Sequence, residues 1–156
     1  NQIAESNENN NSITLRNIVV QPPPPRRARV TVTFTSVTVH NDADPFADGE
    51  MWLDFNVGGQ TGRFPTSGTV SVGEGSVRSI NRSFTLTLQE GQRLTLLVNG
   101  TEEDLGAWPD ENDRMGRVER EFFSSANWGA GQYSIRSTCP DGCYTIAFTI
   151  STVDLP

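Results

Sequence analysis

Val30, Val32 and Phe34 alternate with Thr31, Thr33 and Thr35, and this two-residue rhythm returns along most of the chain. Side chains of a β-strand point to opposite faces in turn, so such a period builds half-buried strands and cannot line one face of a helix. Met51, Leu53, Phe55 and Val57 repeat it, as do Phe84, Leu86 and Leu88, then Leu94, Leu96 and Val98. Tyr133 and Ile135, and finally Tyr144, Ile146, Phe148 and Ile150, complete the series, with further strands expected near Thr69–Val72 and over Arg117–Phe123. Val37 and Val39 fall in the opposite parity to Phe34. One extra residue turns all following side chains over, so a β-bulge is expected between them. No apolar helical period of helix length is present. Short alternating strands parted by Gly and Pro turns predict an all-β fold, an antiparallel sandwich of about eight strands.

The chain has 156 residues, enough for one domain with its own core. Its formal net charge of −7, with no basic run, argues against nucleic acid as a partner. No apolar stretch approaches a membrane span. The chain starts at Asn1 rather than Met, which agrees with an export signal already removed. The only two cysteines, Cys139 and Cys143, bracket Pro140-Asp141-Gly142. That spacing suits a disulfide across a tight hairpin, hence an oxidising compartment, and a redox or zinc pair is the alternative. Asn10, Asn81 and Asn99 each begin an N-glycosylation acceptor pattern, also consistent with an extracellular protein. All 12 basic residues are Arg, which removes lysine Schiff-base chemistry, phosphate-loop lysines and isopeptide cross-links.

Four units follow in order. Residues 1–11 form a polar, Asn-rich tail. Residues 12–21 read as a strand, with Ile13, Leu15, Ile18 and Val20 as its apolar positions. Residues 22–27 contain four consecutive prolines, a stiff extended spacer of ~3 Å per residue. Residues 28–156 form the sandwich. The strand held off by prolines is either an ordinary first strand with a proline-rich crossover, or one that completes a neighbouring subunit's sheet.

About half of the 19 Asp and Glu residues lie in two stretches between strands. The first holds Asp42, Asp44, Asp48 and Glu50. The second runs from Glu102-Glu103-Asp104 to Asp110-Glu111-Asn112-Asp113. Two carboxylates ~5 Å apart in a partly screened site repel by roughly 3 kcal/mol. If folding brings the two stretches together, a cation relieves that repulsion, and clustered hard oxygens favour Ca2+ over zinc or copper. The alternative is that both stretches are simply solvated.

The run Asp110-Glu111-Asn112-Asp113-Arg114-Met115-Gly116 resembles the Asn-Asp-x-Ile/Met-Gly turn that leaves the third calcium loop of C-two-type domains, the calcium-dependent lipid-binding sandwiches first recognised in protein kinase C. Residues 42–50 are similar to that family's first calcium loop, and the resemblance spans roughly residues 29–153. It implies Asp42, Asp48, Asp104 and Asp113 as the leading calcium ligands, with Asp44, Glu50, Glu102 and Asp110 behind them. Two departures bear on ligand identity: Glu102-Glu103-Asp104 stands where the family has Asp-x-Asp, and Leu105-Gly106-Ala107-Trp108-Pro109 is inserted.

Enzyme chemistry finds little support. His40 is the sole histidine and sits at a strand end beside Asn41 and Asp42, the place of a hydrogen-bonded loop anchor rather than a triad base. Carboxylate pairs for glycoside cleavage lack the apolar setting that raises one pKa. Two non-enzymatic functions remain. One is a secreted, calcium-stabilised building block that forms a homopolymer or filament by exchange of its N-terminal strand. That building block is the function expected, and the alternative is a calcium-dependent module that binds a membrane or a glycan. Phe46 and Trp108 would then be loop-tip anchors, or else pack on the sandwich end, and Trp52 with Trp128 would be a sugar-stacking face.

Overall fold

The structure is a computed structural model and describes residues 21–43, 48–103 and 112–156. The N-terminal strand with Ile13, Leu15, Ile18 and Val20, the Asn10 sequon, and Asp44, Phe46, Asp104, Trp108 and Asp110 lie outside the described residues.

Among the described residues, nine strands form two antiparallel sheets. They are β1 (Arg27–Asn41), β2 (Gly49–Val57), β3 (Gln60–Phe64), β4 (Val70–Val72), β5 (Val77–Gln89), β6 (Arg93–Glu102), β7 (Arg114–Phe123), β8 (Gly131–Arg136) and β9 (Cys143–Leu155). One sheet has the order β5-β1-β9-β8 and the other β3-β2-β6-β7, with β4 beside the first part of β2. A short 3-10 segment, Ser124–Gly129, carries the chain from β7 to β8. This is the antiparallel sandwich that the alternation predicts. Residues 21–26, which include the prolines, have no regular structure and are exposed.

The inward rows meet in one core. Val30, Val32 and Phe34 of β1 face Leu53, Phe55, Leu96 and Val98, with Ile146 and Phe148 beside them, all nearly free of solvent contact. Phe34 stands at its centre, with ring centroids 4.5 Å from Phe55, 5.6 Å from Phe148 and 6.0 Å from Phe84. Registers with both β5 and β9 slip between Phe34 and Ser36, which is the expected bulge. It turns Val37 and Val39 back into the core despite their changed parity.

Tyr144 crosses between the layers. From the start of β9 its hydroxyl donates to Val98 O at 3.0 Å and Gly116 O at 3.4 Å on the facing sheet. Gly100 makes room for that ring, since a Cβ there would lie 2.5 Å from Tyr144 Cε1. Burial pushes the Tyr144 phenol well above its ordinary pKa.

One expectation is corrected. Trp128 is not on a surface: it is 0% exposed, and its Nε1 donates to Gln92 O at 3.0 Å. Asn127 and Trp128 both have positive φ, 52° and 48°, and this sharp local turn accompanies a ring tucked under the end of the sandwich. Arg26 lies over it at 5.1 Å, and also bonds Asp154 Oδ1 and Asn127 Oδ1, each at 2.7 Å.

Candidate metal centre

The acidic end follows from strand pairing. β2 and β6 run antiparallel with Met51 opposite Glu102, so the segment entering β2 and the segment leaving β6 arise side by side. Glu103 N donates to Glu50 O at 2.7 Å, and Glu50 N donates to the Glu102 carboxylate Oε1 at 3.2 Å. Glu102 N in turn donates to Asp113 O at 3.0 Å, which draws in the residue before β7. Asp42 and Glu102 are buried, with exposures of 8% and 2%. Gly49 lets them approach: a Cβ there would stand 3.0 Å from Asp42 O and 3.1 Å from Glu102 Cγ. Asp48 is exposed, and its Oδ1 lies 2.7 Å from where a Cβ of Gly73 would be, beside the turn between β4 and β5.

Thus Asp42, Asp48, Glu50, Glu102 and Asp113, from two segments remote in sequence, come to one end of the sandwich. Among the described residues, no three His, Cys, Asp or Glu side chains are grouped to hold a metal. The donor set is hard oxygen, with carbonyls beside the carboxylates, which fits calcium in kind. Asp44, Asp104 and Asp110, the other expected ligands, lie outside the described residues.

A third segment at this end escaped the sequence reading. β9 begins opposite the end of β1, with Cys143 paired to Asn41, so the turn before β9 joins the acidic end. Asp141 N and Gly142 N donate to Arg114 O at 3.3 and 3.2 Å, and Asn41 Nδ2 donates to Asp141 O at 3.1 Å. Thr138 N donates to Arg117 O at 3.0 Å, and Arg117 N to Thr138 Oγ1 at 2.9 Å. Gly116 is required here. Its φ is +88°, and a Cβ would fall 1.8 Å from Thr138 O. The signal was positional: an antiparallel β1–β9 pair places that turn beside Asn41.

His40 Nε2 bonds Thr145 Oγ1 at 2.7 Å, the anchor that its position suggested. Cys139 and Cys143 are thiols, so the expected disulfide is not formed in this structure. Asn81 and Asn99 are exposed, on β5 and β6. Trp52 is half-buried on the outer face of β2, bonded through Nε1 to Asp54 and covered by Arg63 at 4.3 Å. Since Trp128 is in the core, the two tryptophans make no common sugar-stacking face.

No protein-family model matches the sequence, and no curated protein matches it. Solved structures do. The chain aligns with calcium-bound extended synaptotagmin 2, over 83% of this chain and 47% of that one, at 14% identity and a TM-score of 0.54. The fold is that of a C2 domain. A plant extended synaptotagmin 1 C2 domain gives a TM-score of 0.51 at 8% identity, over 85% of this chain and 98% of that one. Human GIVD cytosolic phospholipase A2 gives 0.52 at 13% identity, over 84% of this chain. The chain spans only 17% of that enzyme's length and about half of the two-domain synaptotagmin chain. At these identities the likeness is one of fold, a divergent C2 sandwich.

Proposed function

We propose that this chain is a non-enzymatic calcium-binding C2 module whose acidic end docks on an anionic surface. The observation that carries the reading is the convergence of the segments entering β2 and leaving β6, where the Glu50 backbone N–H donates to the Glu102 carboxylate and Asp42 is buried at the same end. The carboxylates and carbonyls at this end are the hard oxygen donors that calcium prefers. Extended synaptotagmin 2 of the same fold has been solved with calcium bound, which supports the choice of ion. Asp42, Asp48 and Asp113 would be ligands among the described residues, with Glu50 and Glu102 behind them. Docking finds support in a groove of about 480 Å³ beside this end, lined by Arg114, Arg117, Asn99 and Thr138. Phe46 and Trp108 would supply the apolar anchors. The test is calorimetry with calcium, followed by sedimentation with vesicles of anionic or neutral lipid. Heat in the wild type that is lost in Asp42→Asn and Asp113→Asn supports the reading, and no heat in millimolar calcium defeats it.

A second reading is favoured by the sheet edges. Among the described residues, β5 and β7 each have a neighbour on one side only, and both carry an exposed apolar side chain, Val77 and Phe123. Such an edge accepts an added strand. Residues 12–20 of another copy, reached through the prolines, would fill it and give an extracellular polymer. The sequons at Asn81 and Asn99 are in keeping with export. Size-exclusion chromatography with and without residues 1–25 decides this reading. Assembly that persists in a Leu15→Asp, Ile18→Asp variant would end it.

A further inference from the structure

The turn between β8 and β9 brings together two thiols and a guanidinium that the cation reading leaves unused. Cys143 is 4% exposed, whereas Cys139 is open to solvent. Arg136 Nη2 donates to Cys143 Sγ at 3.4 Å, and the Cys139 thiol donates to Ser137 O at 3.9 Å. Ser137 N donates to Tyr144 O at 2.8 Å and Tyr144 N donates to Ser137 Oγ at 3.0 Å, so the turn brings Cys143 back towards Cys139. Burial pushes the Cys143 thiol up, but the hydrogen bonds from Arg136 and Cys139 outweigh it and leave its pKa lowered. Cys139 is raised, first by its hydrogen bond to Cys143. A thiolate is the nucleophile in thiol chemistry, and a nearby Arg promotes it. The same turn is bonded to Arg114, the residue after Asp113, and to Arg117.

We propose that Cys139 and Cys143 are an oxidisable dithiol latch, closed by a small peroxide, with Arg136 as the positioning residue for the Cys143 sulfur. Hydrogen peroxide is small enough to reach a sulfur this buried. The Cys143 thiolate attacks one peroxide oxygen, the O–O bond breaks, and hydroxide leaves as a sulfenic acid forms. The Cys139 sulfur then forms the S–S bond and displaces the hydroxyl as water. Two thiols are oxidised to one disulfide, and one peroxide is reduced to two waters that take both thiol protons. The closed turn holds its bonds to Arg114 and Arg117 more rigidly. A consequence for calcium affinity rests on the calcium reading; the latch itself does not.

The full chain is treated with stoichiometric hydrogen peroxide and followed by intact mass and amide hydrogen exchange. The wild type should lose two hydrogens as an internal bridge, and Cys139→Ser and Cys143→Ser should not. Arg136→Gln should close about tenfold more slowly at neutral pH, with Arg136→Lys recovering most of the rate. Exchange at the Thr138, Asp141 and Gly142 amides should slow about tenfold on closure. Sulfinic acid or linked dimers in place of the internal bridge would overturn the latch, as would equal exchange in the two states. The oxidised form should bind calcium about three- to tenfold more tightly. Equal binding in both forms overturns that consequence. Binding in neither form counts against the cation reading alone, since mass and exchange still decide the latch.

Discussion

The two ends of this sandwich are held in opposite ways. At the Arg26 end, a buried indole, a guanidinium and the Asp154 carboxylate satisfy one another within the chain. At the Glu102 end, backbone bonds draw the segment entering β2, the segment leaving β6 and the residue before β7 together around buried Asp42 and Glu102. The first end is complete by itself. The second would be completed by a cation on the calcium reading proposed above.

The contrast can be broken most forcefully at Trp128. Trp128→Ala removes a fully buried indole and its bond to Gln92, and should cost about 3–5 kcal/mol in denaturant unfolding whether or not calcium is present. At the acidic end the outcome should depend on the ion. Calcium at a hundred times its dissociation constant should add about 2.7 kcal/mol to wild-type stability. Glu102→Gln keeps an acceptor for Glu50 N, so it should melt at or above the wild type in chelator yet gain much less from calcium. If it melts far lower in chelator, the two ends do not differ as described.

Tyr144→Phe should cost about 1–2 kcal/mol, because it strips one donor from two buried carbonyls. It also sharpens the comparison through pH. The folded phenol titrates above the unfolded value of about 10, so its contribution is full below that pH and is lost as pH rises through the folded value. Wild-type stability should therefore fall above about pH 10, and the Phe variant should lose that part of the slope. The smallest change belongs to Arg26→Ala. Its pairs are partly exposed, and a loss of about 0.5–1 kcal/mol is expected in the same unfolding measurement.

What could be read from the residues was whatever repeats locally. The parity change after Phe34 marked the bulge because inward and outward positions alternate strictly. Strand β3 was missed because Gln60-Thr61-Gly62-Arg63 has no buried row to announce it: it is an edge strand whose first two residues are exposed. Trp128 was misplaced because its burial depends on two positive-φ residues in a 3-10 segment, a feature with no period. The acidic stretches were visible as composition, and their meeting depended on β2 pairing with β6, a contact remote in sequence. The turn carrying Asp141 was recognised as a hairpin, but its place beside Asn41 required the β1–β9 register.

β1 also decides how the molecule would bear a load. It is flanked by β5 and β9 over most of its length, about 50 Å from end to end at the usual strand rise. The proline segment enters at one end of this strand, and the acidic residues leave from the other. A pull between an anchored acidic end and the spacer therefore acts along β1, across ladder bonds perpendicular to it. Those bonds would be sheared together rather than opened one at a time. Attachment in that direction would make the central strand a mechanical clamp.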